Sequence, residues 1–280
     1  MRTLDGKVVV ITGAASGIGR ALAVDVGRRG ALLALSDIDD AGLAETARLA
    51  AAAGARDVRT DHLDVADRAA FSAYARAVAE HFGRVNVVVN NAGVALSGDF
   101  EHLSYDDLDW IVGVNFWGVV HGTKEFLPHL IASGDGHVVN ISSLFGLVSM
   151  PGQSFYNAAK YAVRGMSEAL REEMLIAGHP VGVTVVHPGG IKTAIARNAR
   201  VSDKEDKAET AKLFDEKLAK MTPERAAEII LKGVQGNKAR VLVGIDAHAI
   251  HHLAKLTGSR YQDIVALVAS RALPERTNVV

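Results

Sequence analysis

Residues 12–20 read TGAASGIGR, and Lys7–Ile11 immediately before them read KVVVI. The apolar run predicts a strand, Val8–Thr12, and the residues after the glycines carry apolar side chains at helical spacing, Ile18–Arg29. Gly13, Gly17 and Gly19 punctuate the turn between the two. A turn with so little side chain leaves backbone N–H groups bare and aims the N-terminus of the next helix at whatever lies in front of it. That end carries partial positive charge and suits a diphosphate. The spacing G-x-x-x-G-x-G differs from the G-x-G-x-x-G of the standard dinucleotide fingerprint, and glycines that merely permit a tight turn read the same way. Gly13, Ser16, Gly17, Ile18 and Gly19 are therefore candidate cofactor contacts whose meaning depends on the rest of the chain.

The rest alternates short β-rich runs with longer helical patterns. Leu32–Ser36, Val58–Leu63, Val85–Asn90, His137–Ser142, Val183–His187 and Val241–Val243 read as further strands. Ala41–Ala53, Asp67–Phe82 and the long Tyr105–Ile131 read as helices. Strand–helix alternation implies βαβ crossovers and a parallel α/β sheet. Continuously apolar strands fit a sheet covered by helices on both faces. The chain has 280 residues, 49% apolar and 22% charged, which is ordinary globular composition with enough length for a full core. With no repeat and no Pro/Ser-rich linker, a single domain over 1–280 is expected.

A formal net charge of -1 advertises neither a nucleic-acid nor an acidic-membrane partner. The chain contains no cysteine, which excludes disulfides and thiolate catalysis and suits a reducing compartment. The apolar run Val8–Ile11 is too short for a secretory signal, and no stretch approaches the roughly 20 apolar residues of a membrane span. A soluble, cytoplasmic protein is the expectation.

Asp37 ends the second strand, in ALLALSD, about 20 residues past the glycine turn, where an acid can bind a ribose 2′-hydroxyl. A carboxylate there repels a 2′-phosphate, and Ala14, Ala15 and Ser16 offer no Arg or Lys to neutralise one. NAD is favoured over NADP. Asp37 can equally serve as a helix cap or turn residue, a role Asp39 could also fill.

Tyr156 and Lys160, in YNAAK, stand four residues apart, so on a helix they share a face. A nearby ammonium stabilises phenolate and lowers a tyrosine pKa from about 10 toward working pH, as a general acid/base requires. A surface pair would look no different in isolation. Ser143, in VVNISSLFG, lies just past a predicted strand, at the sheet edge where α/β folds place ligands; Ser142 and Ser143 can also be simple turn residues. Asn115, in GVNFWG, is an amide within an apolar helical stretch, costly without partners. It could brace a backbone, act in catalysis, or both.

Together these pieces resemble the compact, single-domain branch of the short-chain dehydrogenase/reductase family over nearly the whole chain. The matching segments are TGAASGIG, DV at Asp64–Val65, NNAG at Asn90–Gly93, Asn115, Ser143, YNAAK and HPGGIKT at His187–Thr193, in the family's order and spacing. The resemblance implies a Rossmann-type doubly wound parallel sheet of about seven strands, with NAD(P) across its carboxyl edge. It implies that Asp64 meets the adenine amino group and Val65 flanks the ring. Asn90, Asn91, Ala92 and Gly93 pass the adenosine ribose and steady the central strand, and Pro188, Gly189, Ile191 and Thr193 close over the nicotinamide amide. It assigns Asn115, Ser143, Tyr156 and Lys160 to catalysis. Tyr156 exchanges the substrate proton, Lys160 holds the nicotinamide ribose, Ser143 bonds the substrate oxygen, and Asn115 anchors a relay water. It also implies a homotetramer or dimer, paired through the helices around Asn115 and Tyr156.

Ser143, Phe145, Met150, Phe155 and Tyr156 are the candidate substrate pocket, and their apolar character favours an uncharged secondary alcohol or ketone. Some of these residues can instead serve the core. Ser202–Lys220, SDKEDKAETAKLFDEKLAK, is charged, with Leu213, Phe214 and Leu218 as apolar anchors. It reads as a solvated helix laced with i,i+4 pairs, and the family's substrate loop falls there, giving an expected lid over 194–222. A helical extension is expected over 246–280, including Tyr261–Leu273, as a subunit contact or pocket cover. His248 and His252 stand at i,i+4 without the partners a metal needs, and no metal site is assigned. The leading expectation is an NAD-dependent alcohol dehydrogenase or ketone reductase. The alternative is a catalytically idle dinucleotide-binding regulatory protein of the same fold; an epimerase or dehydratase of the longer branch would need a larger C-terminal domain.

Overall fold

The computed structural model describes residues 3–213, 216 and 218–272. Phe214 and Leu273, both named above, lie outside the described residues. In chain order the strands are β1 Val8–Thr12, β2 Leu32–Asp37, β3 Asp57–His62, β4 Val87–Asn90, β5 Leu96–Ser97, β6 Gly136–Ile141, β7 Val181–Pro188, β8 Arg200–Val201 and β9 Arg240–Val243. The helices are α1 Gly17–Arg28, α2 Asp40–Ala53, α3 Arg68–Phe82, α4 Tyr105–Val112, α5 Gly118–Ala132, α6 Ser154–Ile176, α7 Lys207–Leu213, α8 Pro223–Gln235, α9 Ile245–Thr257 and α10 Tyr261–Ala272.

Seven strands form one sheet in the order β3-β2-β1-β4-β6-β7-β9, and every pairing is parallel. The register sets Val10 beside Ala34 of β2 and Val88 of β4. The period of two in a strand sends neighbouring side chains to opposite faces. Val9 and Ile11 join Leu22 and Val26 of α1 and Ile230 of α8 in one core layer. Val8 and Val10 join Phe71 and Val78 of α3, Phe126 of α5 and Leu170 of α6 in the other. Both faces of the central strands β1 and β4 are buried, which fits their apolar runs, whereas the edge strand β3, DVRTDH, is polar and partly exposed. Strand order reverses at β1, between β2 and β4, and that switch point opens a crevice at the carboxyl ends of the strands.

The long helix expected over Tyr105–Ile131 is interrupted. Residues Gly113–Trp117 form a π-helical turn between α4 and α5, and Gly118 lies where a Cβ would sit 2.7 Å from Val65 Cγ2. The wider turn tucks Asn115 fully inside. The expected start of the third helix, Asp67, is its cap: Oδ1 accepts from the N–H groups of Ala69 and Ala70 at 2.8 and 3.0 Å. Within the charged stretch α7 spans Lys207–Leu213, and its base is pinned by the parallel pairing of β8 with β5. Helix α8, opened by the Thr222 cap and Pro223, was not anticipated.

Candidate active site

The glycine turn is a point of close approach. Gly13 has φ +64°, and a Cβ there would lie 2.7 Å from Ala92 Cα. Thr12 Oγ1 accepts the N–H groups of Asn91 and Ala92, both at 3.1 Å. Asn91 Nδ2 donates to the carbonyls of Thr12 and Gly13 at 3.0 and 2.9 Å. The ends of β1 and β4 are thereby locked together. A Cβ on Gly19 would run into the Gly13 carbonyl, so Gly19 seats α1 on the turn and does not line the cleft. Ser16 precedes α1 without a side-chain capping bond, which leaves first-turn N–H groups open to a ligand. Gly17, at φ +54°, would bring a Cβ within 3.1 Å of Thr193 Cγ2; the HPGGIKT loop therefore closes against the turn.

Asp37 Oδ2 accepts from Ala15 N–H at 2.9 Å, and Oδ1 accepts from Ile38 and Asp39 N–H at 2.8 and 3.1 Å. The carboxylate has about four acceptor sites, so capacity remains on Oδ2 for a ligand hydroxyl. Asp39 takes the helix cap, accepting from Gly42 N–H at 3.0 Å. Arg20 turns away from the rim, with its guanidinium on Thr46 Oγ1 at 2.9 Å and on the carbonyls of Ala15 and Gly42. Asp64 and Val65 line the same cleft; Asp64 Oδ1 holds Ala66 N–H at 2.9 Å. Asn90 does not reach it. Its side chain is buried, with Nδ2 on Thr123 Oγ1 and Asn140 Oδ1 at 3.1 and 2.8 Å, because the middle of the sheet needs its strand ends tied more than the cleft needs another amide.

The reactive candidates converge beyond β6. Tyr156, Ser143 and Lys160 all line the cleft, and the Ser143 side chain is near enough to the Tyr156 phenol to favour its ionised form. Ser143 Oγ also accepts Phe145 N–H at 3.1 Å. Lys160 is buried, and its Nζ donates to the Ile141 carbonyl at 3.1 Å. Asn115 binds both polar groups of Val94, donating to its carbonyl and accepting its N–H, each at 2.8 Å. A Cβ on Gly93 would lie 3.2 Å from Asn115 Oδ1 and 3.4 Å from Lys160 Nζ, so Asn115 reaches the site from behind Gly93 without lining it.

Burial pushes the Tyr156 phenol above its ordinary value, with the Ser143 side chain working against it. This is opposite to the direction expected from the helical Tyr–Lys pairing. Lys160 Nζ lies 5.8 Å from the phenol ring centroid, and desolvation lowers the lysine itself to about 8, which leaves it cationic at neutral pH.

Several positioning residues escaped the sequence reading. Ser142 Oγ donates to the Lys160 carbonyl at 2.8 Å, and Asn157 Nδ2 donates to the Met150 carbonyl at 3.0 Å. Buried His187, held neutral with its pKa lowered to about 4 by desolvation, donates from Nδ1 to the Ser143 carbonyl at 2.8 Å. Asp246 Oδ2 accepts Gly190 N–H at 2.7 Å, clamping the HPGGIKT loop from α9. Each lies within or beside a motif, but only a long-range contact reveals its task.

Pro188, Gly189, Ile191 and Thr193 line the cleft, as do Phe145 and Met150. Phe155 does not: its ring stacks on Phe100 at 6.0 Å and packs in a side cluster with Leu96, Leu108 and Ile111. The i,i+1 offset from Tyr156 points it about 100° around the helix, away from the site. The cleft has a volume of ≈ 2350 Å³, well above the roughly 300–1,000 Å³ of one small-ligand pocket. Bare glycine amides, an acid at the second strand end and this volume together fit a dinucleotide with a substrate beside it. His248 and His252 stack at 6.5 Å on α9, and among the described residues no group of three or more metal-ligating side chains converges.

A family model described as short chain dehydrogenase matches residues 7–204. A Mycobacterium tuberculosis protein named "Putative oxidoreductase SadH" is 58% identical over 274 residues, spanning 98% of this chain and 99% of its own. C alpha-dehydrogenase of a Sphingobium species is 35% identical, over 86% of this chain and 82% of that protein. The crystal structure of a short-chain dehydrogenase/reductase from Burkholderia phymatum in complex with NAD superposes with a TM-score of 0.84 at 32% identity, covering 94% of this chain and 97% of that one. Motif order, sheet order and these likenesses agree: the chain belongs to the short-chain dehydrogenase/reductase family, oxidoreductases that act on CH–OH groups with a nicotinamide dinucleotide.

Proposed function

We propose that this enzyme interconverts an apolar, uncharged secondary alcohol and its ketone with NAD(H), using Tyr156 as the acid/base. The single observation that carries the reading is the placement of Tyr156, Ser143 and Lys160 together on one cleft wall beside Phe145. A bound nicotinamide dinucleotide supplies the two-electron hydride acceptor in oxidation and donor in reduction. In reduction the Tyr156 phenol gives its proton to the carbonyl oxygen while Ser143 donates a hydrogen bond to that oxygen. In oxidation Tyr156, as phenolate, takes the alcohol proton. Lys160 steadies the phenolate and the cofactor ribose, and Asn115, buried behind Gly93, holds the backbone past which a relay water reaches Lys160. A phenol held above its ordinary pKa stays protonated at neutral pH and so holds the proton that reduction consumes, while oxidation, which needs the phenolate, quickens as pH rises.

The NAD preference rests on Asp37, with spare acceptor capacity and, among the described residues, no ion-pair partner. Gly13, Ser16, Gly17 and Ile18 supply the diphosphate cradle. We also assign residues 194–222 to a lid within one catalytic domain, and read the protein as a cytoplasmic homotetramer or dimer. The intact Asn115, Ser143, Tyr156 and Lys160 argue against an idle scaffold, which needs no such set. The test is NADH oxidation with a panel of uncharged ketones. Tyr156→Phe should lose about a thousandfold in kcat/KM while NADH fluorescence still reports binding; normal turnover by that variant overturns the mechanism.

A further inference from the structure

The C-terminal helices carry apolar side chains that complete no core. Leu253 of α9 is 44% exposed, and Ile264 and Val268 of α10 are 39% and 59% exposed. All three line the reaction cleft, together with Val265 and Ala269. Positions 264, 265, 268 and 269 are i, i+1, i+4 and i+5, a single face of α10, and none of these four residues is charged. The cleft is lined elsewhere by residues different in kind, Lys204, Asp206, Glu209 and Lys212 of the segment after Thr193.

This apolar face is tied to the reaction centre. The Tyr261 hydroxyl, at the start of α10, accepts Ser149 N–H at 3.1 Å and bonds Ser149 Oγ at 2.9 Å. Ser149 belongs to the loop that begins at Ser143. Tyr261 also packs with Phe145 and Ile250 around Leu144 and Val148. The wall therefore links the Ser143 loop, through Phe145 and Tyr261, to α10, whose Ile264 and Val268 line the same cleft. A short ketone would leave most of that path wet.

Resting on the secondary-alcohol reading above, we infer that the substrate carries a long alkyl chain, with its reacting oxygen at Ser143 and Tyr156 and its chain laid along the Ile264–Val268 face of α10. The occupant is the substrate's own chain because the exposed residues belong to the reaction cleft itself, and because the site can then bury them only when substrate is bound.

The test is kcat/KM with NAD for 2-butanol, 2-hexanol, 2-octanol and 2-decanol, each below its solubility limit. Progressive burial of methylenes should raise kcat/KM by about thirtyfold or more from the shortest to the longest. Val268→Asp should collapse the 2-decanol to 2-butanol ratio to within about threefold of unity. Ile264→Asn serves the same purpose if melting shows that Val268→Asp does not fold. A flat series in the parent enzyme, with good 2-butanol turnover, overturns this inference and leaves the proposed function standing. So does an unchanged ratio in a folded variant. A fall in the sedimenting mass of Val268→Asp gives the wall to a second copy of the chain, and a length preference that appears only with phosphatidylcholine vesicles gives it to a lipid surface; either overturns the inference. Failure of every alcohol and ketone sinks the proposed function and this inference with it.

Discussion

The cleft has two walls built by different means. Below β1, β2 and β4 the wall is mostly backbone: Gly13 packed on Ala92, open amides at the start of α1, and one carboxylate, Asp37, holding three N–H groups. Around α9, α10 and the segment after Thr193 the wall is side chain, with both exposed apolar residues and charged ones. The first wall can recognise what nicotinamide dinucleotides share, because backbone amides are indifferent to residue identity. The second can vary without disturbing the sheet, since its residues lie outside both main core layers. Cofactor chemistry is thus held by rigid parts and substrate choice by replaceable ones.

That contrast can be broken most sharply at Gly13. Gly13→Val should destabilise the protein by about 3 kcal/mol or more, since it adds overpacking to left-handed backbone strain, and should abolish NAD binding. Thermal melting and nucleotide titration check both; a tolerated valine would show that the backbone wall is not rigid. The next test concerns Lys160, whose pKa is lowered to about 8 by burial. Between about pH 8 and its unfolded value near 10.4, the unfolded chain binds more protons at this site than the folded one, so this group makes stability rise with pH. Below about pH 8 both states are protonated and the burial penalty is felt in full. Lys160→Met should remove that slope, a difference on the order of 2–3 kcal/mol across the window, readable in denaturant melts of both proteins. Equal slopes would place the ammonium in water.

Asp37→Ala sharpens the comparison from the cofactor side. Losing a charge-assisted contact to ribose should cost about 1.5–3 kcal/mol, or roughly ten- to a hundredfold in NAD affinity, and narrow the gap to NADP. Part of the loss will come from the three freed amides, so melting should accompany the titration. The smallest effect is expected on the substrate wall. Arg200, the first residue of β8, stacks at 4.0 Å over Trp110 and pairs with Asp107 at 3.3 Å. Arg200→Ala should loosen the lid base by about 0.5–1 kcal/mol and raise KM a few-fold with kcat little changed. A large fall in kcat instead would make the lid part of the chemistry.

Much of the first wall was legible because its signals are local. Alternating strands and helices, the glycines after β1 and the acid after β2 fall within short windows, and parallel topology follows from the crossovers. The reactive set was legible from the helical spacing of Tyr156 and Lys160 and from the place of Ser143 after a strand. Its energetics were not: the direction of the Tyr156 shift depends on burial, opposed by the neighbouring Ser143 side chain, and spacing does not specify burial. Phe155 and Asn90 misled for the same reason, since which face a residue presents to a cleft is settled by its neighbours. The π-turn around Asn115 also left no periodic trace strong enough to separate it from a plain helix.

Taken alone, the order of residues determined the sheet, its connections and the identity of the polar groups at its carboxyl edge, because hydrogen-bond periodicity and apolar spacing act over a few residues. Only the folded chain decided which distant segments share the cleft: Asp246 against Gly190, His187 against the Ser143 carbonyl, Tyr261 against Ser149. Those contacts span up to 112 residues, and no local rule can supply them, because they exist only once two independently formed elements are packed against each other.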